Sequence, residues 1–300
     1  MDQKLTSTFL RVCQEGSIRA AAVALEQEPS TISRRLTSLE EELSIQLLER
    51  RKKGVTPTEA GALLLRHLRA QMAELEALTA EFDALRGMRR GTVSLAVGDG
   101  FISDMIKNAL PGFKRMHPEI TFNMRSGSTE TVMQDVLNDV AHLGFVFNAM
   151  PDRQCKVLAH MTQPLQLLVS PSSECANSVA PVSINTLAGM RMALLSSGSG
   201  IGAMVRQVET TYGVRLNRAL EANSLAAVRN FVREGLGVTV LPSFVVAQEI
   251  ADGSIVGLPV GIPEFAKGEV SMIARSGRRL PDVAVKLANH AMRSMLAFKA

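Results

Sequence analysis

Between Ala62 and Arg86 the chain carries neither glycine nor proline, and Leu65, Leu68, Met72, Leu75, Leu78, Phe82 and Leu85 follow one another at steps of 3, 4, 3, 3, 4 and 3. This near-heptad seam lasts about three heptads and predicts a long helix, capped by Thr58 and ending near Leu85. An amphipathic helix packed on its own domain is the alternative. The length and the absence of breakers favour a dimerisation helix that pairs with a second chain. It separates two stretches whose apolar patterns differ.

The stretch before it reads as short helices. Leu5, Phe9 and Val12 recur at helical spacing, with Cys13 beside them. Ser17 is a fitting N-cap for Ile18–Leu25, where alanines favour a helix and let another helix approach closely. Glu26-Gln27-Glu28-Pro29 breaks the pattern, because proline cannot continue a helix interior. Ser30 is expected to cap the next helix, whose apolar face is Ile32, Leu36, Leu39 and Leu43. Two short helices across a tight break are the sequence form of a helix-turn-helix. Arg50-Arg51-Lys52-Lys53 then form the densest positive patch, followed by Gly54 and a β-branched alternation that suggests a hairpin or wing. Alone, such a run reads as a solvated loop. Beside a helix-turn-helix it reads as a nucleic-acid contact.

The stretch after the helix alternates. Arg86–Gly91 is a hinge with two glycines, and Thr92–Val97 is a strand. Further strands are expected at Ile120–Met124, Leu143–Phe147, Leu165–Val169, Arg191–Leu195 and Val238–Leu241. Helices are expected at Ser103–Met116, Thr129–Asp139, Gly202–Tyr212, Ala226–Glu234 and Asp282–Phe298. Alternating βαβ units predict an open, mostly parallel α/β sheet. About 210 residues exceed one such unit, so a pair of small α/β lobes with a cleft between them fits better.

Composition narrows the function classes. The 300 residues are 46% hydrophobic and 21% charged, which excludes a wholly disordered chain. No apolar run reaches the roughly 18–20 residues of a membrane span. The opening MDQKLTSTFLRV lacks the features of a signal peptide, so the expected location is cytoplasmic, with no membrane partner. Cys13, Cys155 and Cys175 match neither a disulfide framework nor a zinc pattern. Net charge is +4, split as +1 over residues 1–91 (14 basic, 13 acidic) and +3 over 92–300 (19 basic, 16 acidic). Any nucleic-acid contact must therefore come from local patches.

The segment FLRVCQEGSIRAAAVALEQEPSTISRRLTSLEEELSIQLLERRKKGVTPTEAG resembles the N-terminal signature of the LysR-type transcriptional regulators, and LPGFKRMHPEI and FVREGLGVTVLPS extend the likeness into the second part. The resemblance covers essentially the whole chain. It implies a winged helix-turn-helix over 1–58, a linker or dimerisation helix and hinge over 59–90, and a two-lobed, periplasmic-binding-protein-like α/β effector domain over 91–300. Lobe 1 would comprise about 91–162 plus 267–300, and lobe 2 about 163–266. It also implies promoter-DNA binding as a dimer or tetramer, tuned by a small molecule in the cleft, with no cofactor and no catalysis. Two positions depart from the family pattern. Pro29, preceded by Glu28, stands where a base-reading Gln is usual, and His142 stands where an acidic residue is common.

Within that frame, Arg19, Ser30, Thr31, Ser33, Arg34, Arg35, Arg50, Arg51, Lys52 and Lys53 are the expected DNA contacts. Ser30 and Thr31 fall in a first helical turn, where free N–H groups and the helix dipole favour phosphate. Arg34 can fork onto guanine O6 and N7, or else pair with one of Glu40–Glu42. Arg35 lies about 100° round the helix and suits a phosphate. Glu28 near the duplex is unfavourable beside phosphate, though it can accept from a cytosine amine. Glu40-Glu41-Glu42 is expected to be a solvated face. The expected effector contacts are Asp99, Gly100, Phe101, Ser126, Ser128, Thr129, Phe147, Ser196, Ser197, Ser199, Asn223 and Ser224. Each segment also reads as turn and capping chemistry. Two helix starts rich in Ser and Thr suggest an anionic ligand, whereas Asp99 could select an amine or hydroxyl. The competing reading is an enzyme or solute-binding protein on the α/β part. Against it, the five histidines show no ligand spacing, and Gly198-Ser199-Gly200-Ile201-Gly202 is not a dinucleotide fingerprint. Cys155 or Cys175 as a redox sensor is a minor alternative.

Overall fold

The computed structural model describes residues 2–51, 54–85 and 90–299, without the side chains of residues 50, 80 and 83–85. Contacts divide the chain into two compact units, Met1–Glu76 and Ala77–Ala300, with the boundary inside the long helix.

The first unit contains α1 (Gln3–Glu15), α2 (Ile18–Ala24), α3 (Pro29–Leu43), the hairpin β1 (Leu48–Arg51) and β2 (Gly54–Pro57), and the start of α4 (Glu59–Leu85). Asp2 caps α1 by accepting from the Lys4 N–H at 2.7 Å, and Gly16, at φ 64°, closes it. Ser17 then caps α2, as expected. Ser30 does not cap α3. The helix begins one residue earlier at Pro29, with Glu28 in the cap position and no side-chain cap bond. Proline fits the first helical position because its ring presets φ and its missing N–H would have no partner there anyway.

Phe9, Val12, Ala21, Ile32 and Leu39 are fully buried in this unit's core, where the small Ala21 and Ala22 let α2 approach its neighbours. Glu40 corrects the solvated-face expectation. Its Oε1 accepts from the Leu47 and Leu48 N–H groups at 2.8 and 3.1 Å, tying α3 to the first wing strand. The wing is also fixed at its other strand. Val55 N–H donates to Gly16 O at 2.9 Å, and a Cβ on Gly54 would lie 2.3 Å from that same oxygen. With φ at 127°, position 54 admits only glycine without strain.

Thr58 Oγ1 accepts from the Gly61 N–H at 3.0 Å and so starts α4 as expected. At 27 residues the helix is about 40 Å long. Leu65 and Leu68 are buried in the first unit's core, whereas Met72, Leu75, Leu78 and Phe82 are 44–63% exposed. Of the expected hinge Arg86–Gly91, residues 86–89 lie outside the described residues, as does the Leu85 side chain, and Gly91 opens a strand instead.

The second unit runs β3 (Gly91–Gly98), α5 (Asp99–Asp104), α6 (Leu110–Met116), β4 (Ile120–Gly127), α7 (Thr129–Leu137), β5 (Leu143–Phe147), β6 (Cys155–Thr162), β7 (Leu165–Val169), α8 (Ile184–Gly189), β8 (Met192–Leu195), α9 (Gly200–Tyr212), β9 (Arg218–Ala222), α10 (Leu225–Arg233), β10 (Thr239–Pro242), α11 (Ala247–Ala251), β11 (Val256–Leu258), β12 (Glu269–Arg275) and α12 (Asp282–Ser294). A π turn, Met105–Ala109, joins α5 to α6 just before Pro111, whose ring cannot donate to the helix ladder. The helical stretch therefore begins at Asp99, four residues before the expected start.

The sheets are mixed rather than mostly parallel. One has the order β4-β3-β5-β12-β6, with β3 parallel to β4 and β5, and β12 antiparallel to β5 and β6. Another, β10-β7-β11, is antiparallel, and β8 pairs with β9 in parallel. The chain leaves the first sheet after β6, builds the other two, and returns as β12 running the opposite way. At the crossing, Gln163 N–H donates to Gly268 O at 2.7 Å. His142, which departs from the family pattern, is 2% exposed and replaces part of a strand ladder. Its N–H donates to Ser94 O at 2.8 Å and its Nδ1 accepts from the Ser94 N–H at 3.0 Å.

Candidate functional site

On α3, Ile32, Leu36 and Leu39 face the core, so the opposite side faces out. Ser30 and Arg34 are exposed there, and Thr31 and Ser33 are half-buried. Arg34 forms no ion pair among the described residues, so the alternative of a bridge to Glu40–Glu42 is not what the structure shows. Arg35 differs from its neighbour. Its Nη1 donates to Thr8 Oγ1 at 3.4 Å, a long contact that turns it toward α1. Arg19 is exposed at the second position of α2. Arg51 is exposed on β1 and pairs with Glu49 at 3.3 Å. Lys52, Lys53 and the Arg50 side chain lie outside the described residues.

In the second unit a cleft of about 430 Å³ is built from segments remote in sequence. Asp99, Gly100 and Phe101 enter it from the first turn of α5, and Ser126, Ser128 and Thr129 from the end of β4 and the start of α7. Phe147 enters from the end of β5, Ser196 and Ser199 from the turn before α9, and Asn223 from the turn before α10. Ser197 and Ser224 do not line it. Sequence reasoning missed its apolar wall of Leu195, Ile201, Leu225, Phe244 and Val245, whose signal in the sequence is only that of ordinary core residues. Phe101 belongs to that wall more than to ligand chemistry: it is 1% exposed, with its ring 5.4 Å from Phe244 and 6.2 Å from Phe145.

Four helices, α5, α7, α9 and α10, begin at this cleft. The first N–H groups of a helix have no intrahelical acceptor, and the helix dipole makes that end positive. Several serines spend their acceptor oxygen on this problem. Ser128 accepts from Thr131 N–H at 3.1 Å, Ser199 from Gly202 N–H at 2.9 Å, and Ser224 from Ala227 N–H at 3.3 Å. The capping reading therefore holds for these three. Thr129 Oγ1 donates to Phe147 O at 3.4 Å. The side chains of Asp99, Ser126, Ser196 and Asn223 make no hydrogen bond to another described residue. Asp99 is the one ionisable side chain on the described lining, and no Lys, Arg or His is there. Gly200 lets α9 come this close, since a Cβ on it would lie 1.9 Å from Phe147 O. The glycine string at 198–202 thus serves packing.

The acidity of Cys155 does not favour thiol sensing there. Burial pushes the Cys13 thiol up to about 11, and burial with Asp152 nearby also raises Cys155. Reactive thiols need the reverse shift. Among the described residues no group of three His, Cys, Asp or Glu could hold a metal ion, and no helix is long and apolar enough to cross a membrane.

The sequence matches the family described as bacterial regulatory helix-turn-helix protein, lysR family, over residues 4–62, and the LysR substrate binding domain over residues 86–295. It is 27% identical over 283 residues to the transcriptional dual regulator GltC of Bacillus subtilis, covering 93% of each chain. It is 25% identical to the probable RuBisCO transcriptional regulator of Porphyra purpurea, covering 81% of this chain and 78% of that one. Among solved structures, a full-length OxyR variant from Pseudomonas aeruginosa shares the fold with a TM-score of 0.74 at 18% identity, covering 98% and 95% of the two chains. Full-length CbnR in complex with its target DNA gives a TM-score of 0.63 at 21% identity, covering 98% and 99%.

Proposed function

Since the chain belongs to the LysR family of bacterial regulatory helix-turn-helix proteins, we propose that the outer side of α3 reads promoter DNA while a small organic anion in the Gly200 cleft sets how it does so. The family makes the chain a transcriptional regulator with a DNA-binding module and a substrate-binding domain, and not an enzyme. In this reading Ser30, Thr31, Ser33 and Arg34 meet bases and nearby phosphates. Arg19, Arg35, Arg50, Arg51, Lys52 and Lys53 meet the backbone or the minor groove. The exposed stripe Met72, Leu75, Leu78 and Phe82 pairs two linker helices, and further contacts make a tetramer. The division into 1–58, 59–90 and 91–300, with lobes of 91–162 plus 267–300 and of 163–266, and a cytoplasmic location complete the proposal.

One observation carries the ligand class: four helix starts converge on a cleft that has no cationic side chain on its described lining. Main-chain N–H groups would hold the anion, as at other helix N-termini. Asp99 adds a preference for a hydroxyl or ammonium on the same molecule, which points to hydroxy acids or amino acids. Thermal-shift screening of the full chain tests this. Carboxylates bearing a hydroxyl or amine are expected to raise Tm, and stabilisation by uncharged compounds alone would overturn the reading. Binding to promoter DNA is expected to weaken steeply with salt, at a slope of roughly −0.9 per phosphate contact. A shallow slope would overturn the DNA reading.

A further inference from the structure

Glu28 stands at the start of α3, where capping leaves its carboxylate unused. The helix begins at Pro29, and Glu28 holds the cap position with extended backbone, φ −71° and ψ 139°. Its main-chain oxygen accepts from the Thr31 and Ile32 N–H groups at 2.9 and 3.2 Å, and Pro29 has no N–H to satisfy. The side chain makes no cap bond. Shorter side chains such as Ser, Thr, Asp and Asn suit that task. An acid at this end gains from the helix dipole, so Glu28 is tolerated there without a partner.

The carboxylate has no ionic partner either. Glu28 borders an open depression of about 500 Å³ over the turn between α2 and α3, whose charged lining residues are Arg19, Glu26 and Glu28. All three are exposed, and among the described residues none of them forms an ion pair or a side-chain hydrogen bond. Beside a duplex such a carboxylate is repelled by the phosphates and by every acceptor on the floor of the groove. Bases differ in how far they offset that repulsion. In the major groove guanine shows two acceptors, thymine an acceptor and a methyl group, adenine an acceptor next to its amine, and cytosine an amine alone. Cytosine is thus the base that a carboxylate meets with attraction and no opposing lone pair.

We propose that Glu28 is a specificity-determining residue that selects a cytosine next to the bases met by Ser30 and Arg34. It accepts from the cytosine N4 amine and rejects guanine and thymine by repulsion, so it sharpens the choice of sequence without adding affinity for DNA in general. Arg19, across the depression, meets the flanking phosphate. The inference rests on the reading of α3 as the helix that faces the bases, and the test separates the two. Duplexes with a randomised central stretch are selected with the full chain and sequenced. The wild type is expected to enrich a motif with one cytosine position in each half-site. Glu28→Gln should convert that position to adenine, since glutamine forks onto adenine N6 and N7, and Glu28→Ala should leave it degenerate. In competition binding, guanine in place of that cytosine should cost the wild type about tenfold and Glu28→Ala about twofold or less. Glu26→Gln, which removes the neighbouring charge, should leave the motif unchanged. The inference is overturned if both Glu28 variants select the wild-type motif, if the position they change is not a cytosine in the wild type, if they lose selection altogether, or if Glu26→Gln produces the same change. In each of these cases an Arg34→Ala variant that relaxes a different position keeps the α3 reading. Failure of the wild type to enrich any motif overturns both.

Discussion

In the proposed reading, the groups that the first unit offers to a partner are side chains standing on the outside of α3. In the second they are main-chain N–H groups at the starts of α5, α7, α9 and α10, with serine oxygens turned back to cap those helices. The first arrangement suits a partner that displays a pattern along a rigid surface, because individual side chains can each be matched to an edge. The second suits a small anion, because N–H groups fixed in a frame need no rotamer ordering on binding. The two surfaces should therefore respond differently to the same kind of mutation. Deleting a side chain on α3 should affect recognition and spare stability. Around the cleft, the frame itself is at stake.

The largest effect is expected at Gly200. Gly200→Ala places a methyl group 1.9 Å from Phe147 O, so α9 must move, at a cost of about 3 kcal/mol in urea unfolding and with loss of ligand-induced stabilisation. A variant as stable as wild type would break the comparison, because the cleft would then not be held by close main-chain packing. Next is the ion pair beneath α9. Glu209 accepts from Arg218 at 2.5 and 2.7 Å and from the Leu216 N–H at 2.8 Å. The Arg218 hydrogen bonds hold its carboxyl below the usual range. A lowered folded-state pKa contributes stability that is present above the ordinary Glu value and is lost as pH falls through the folded one. Glu209→Gln should therefore cost about 2 kcal/mol near neutrality, and the difference should shrink in unfolding curves taken below the ordinary Glu pKa.

Arg34→Ala should cost roughly 1–3 kcal/mol of sequence-specific affinity, lower binding to random DNA much less, and leave Tm within a degree or two. Equal losses in a competition assay would make Arg34 a phosphate contact. The smallest effect is expected from Ser199→Ala, which removes a cap worth about 1 kcal/mol of stability. If it abolished ligand binding without altering Tm, the hydroxyl would be a ligand contact and the contrast between the units would weaken.

The same contrast explains what the sequence made legible. The wing, the helix-turn-helix and the Thr58 start of α4 rest on local signals, namely apolar period, caps and a basic run. Most of the cleft could be marked because serines and glycines cluster at helix starts. Its apolar wall could not, since Phe244 and Val245 look like any buried pair until the fold brings them beside Phe101. Glu40 misleads for a related reason: its partners, Leu47 and Leu48, lie beyond the end of its helix. β6 gives no clear strand signal because the bulge at Leu158 breaks its alternation, and the antiparallel return of β12 is a property of connectivity. Ser30 loses the cap position to Glu28 because Pro29 fits inside the first turn.

The contact of Gly54 and Val55 with Gly16 has a consequence for the promoter. It fastens the wing to the turn between the first two helices, so the wing and the reading helix travel as one piece. If both touch DNA as proposed, the protein works as a ruler with fixed graduations. Inserting one base pair between the two contacted stretches moves them about 3.4 Å apart and rotates one past the other by about a tenth of a turn. A rigid ruler cannot follow that change, so spacing within each half-site should be as strictly defined as the bases themselves.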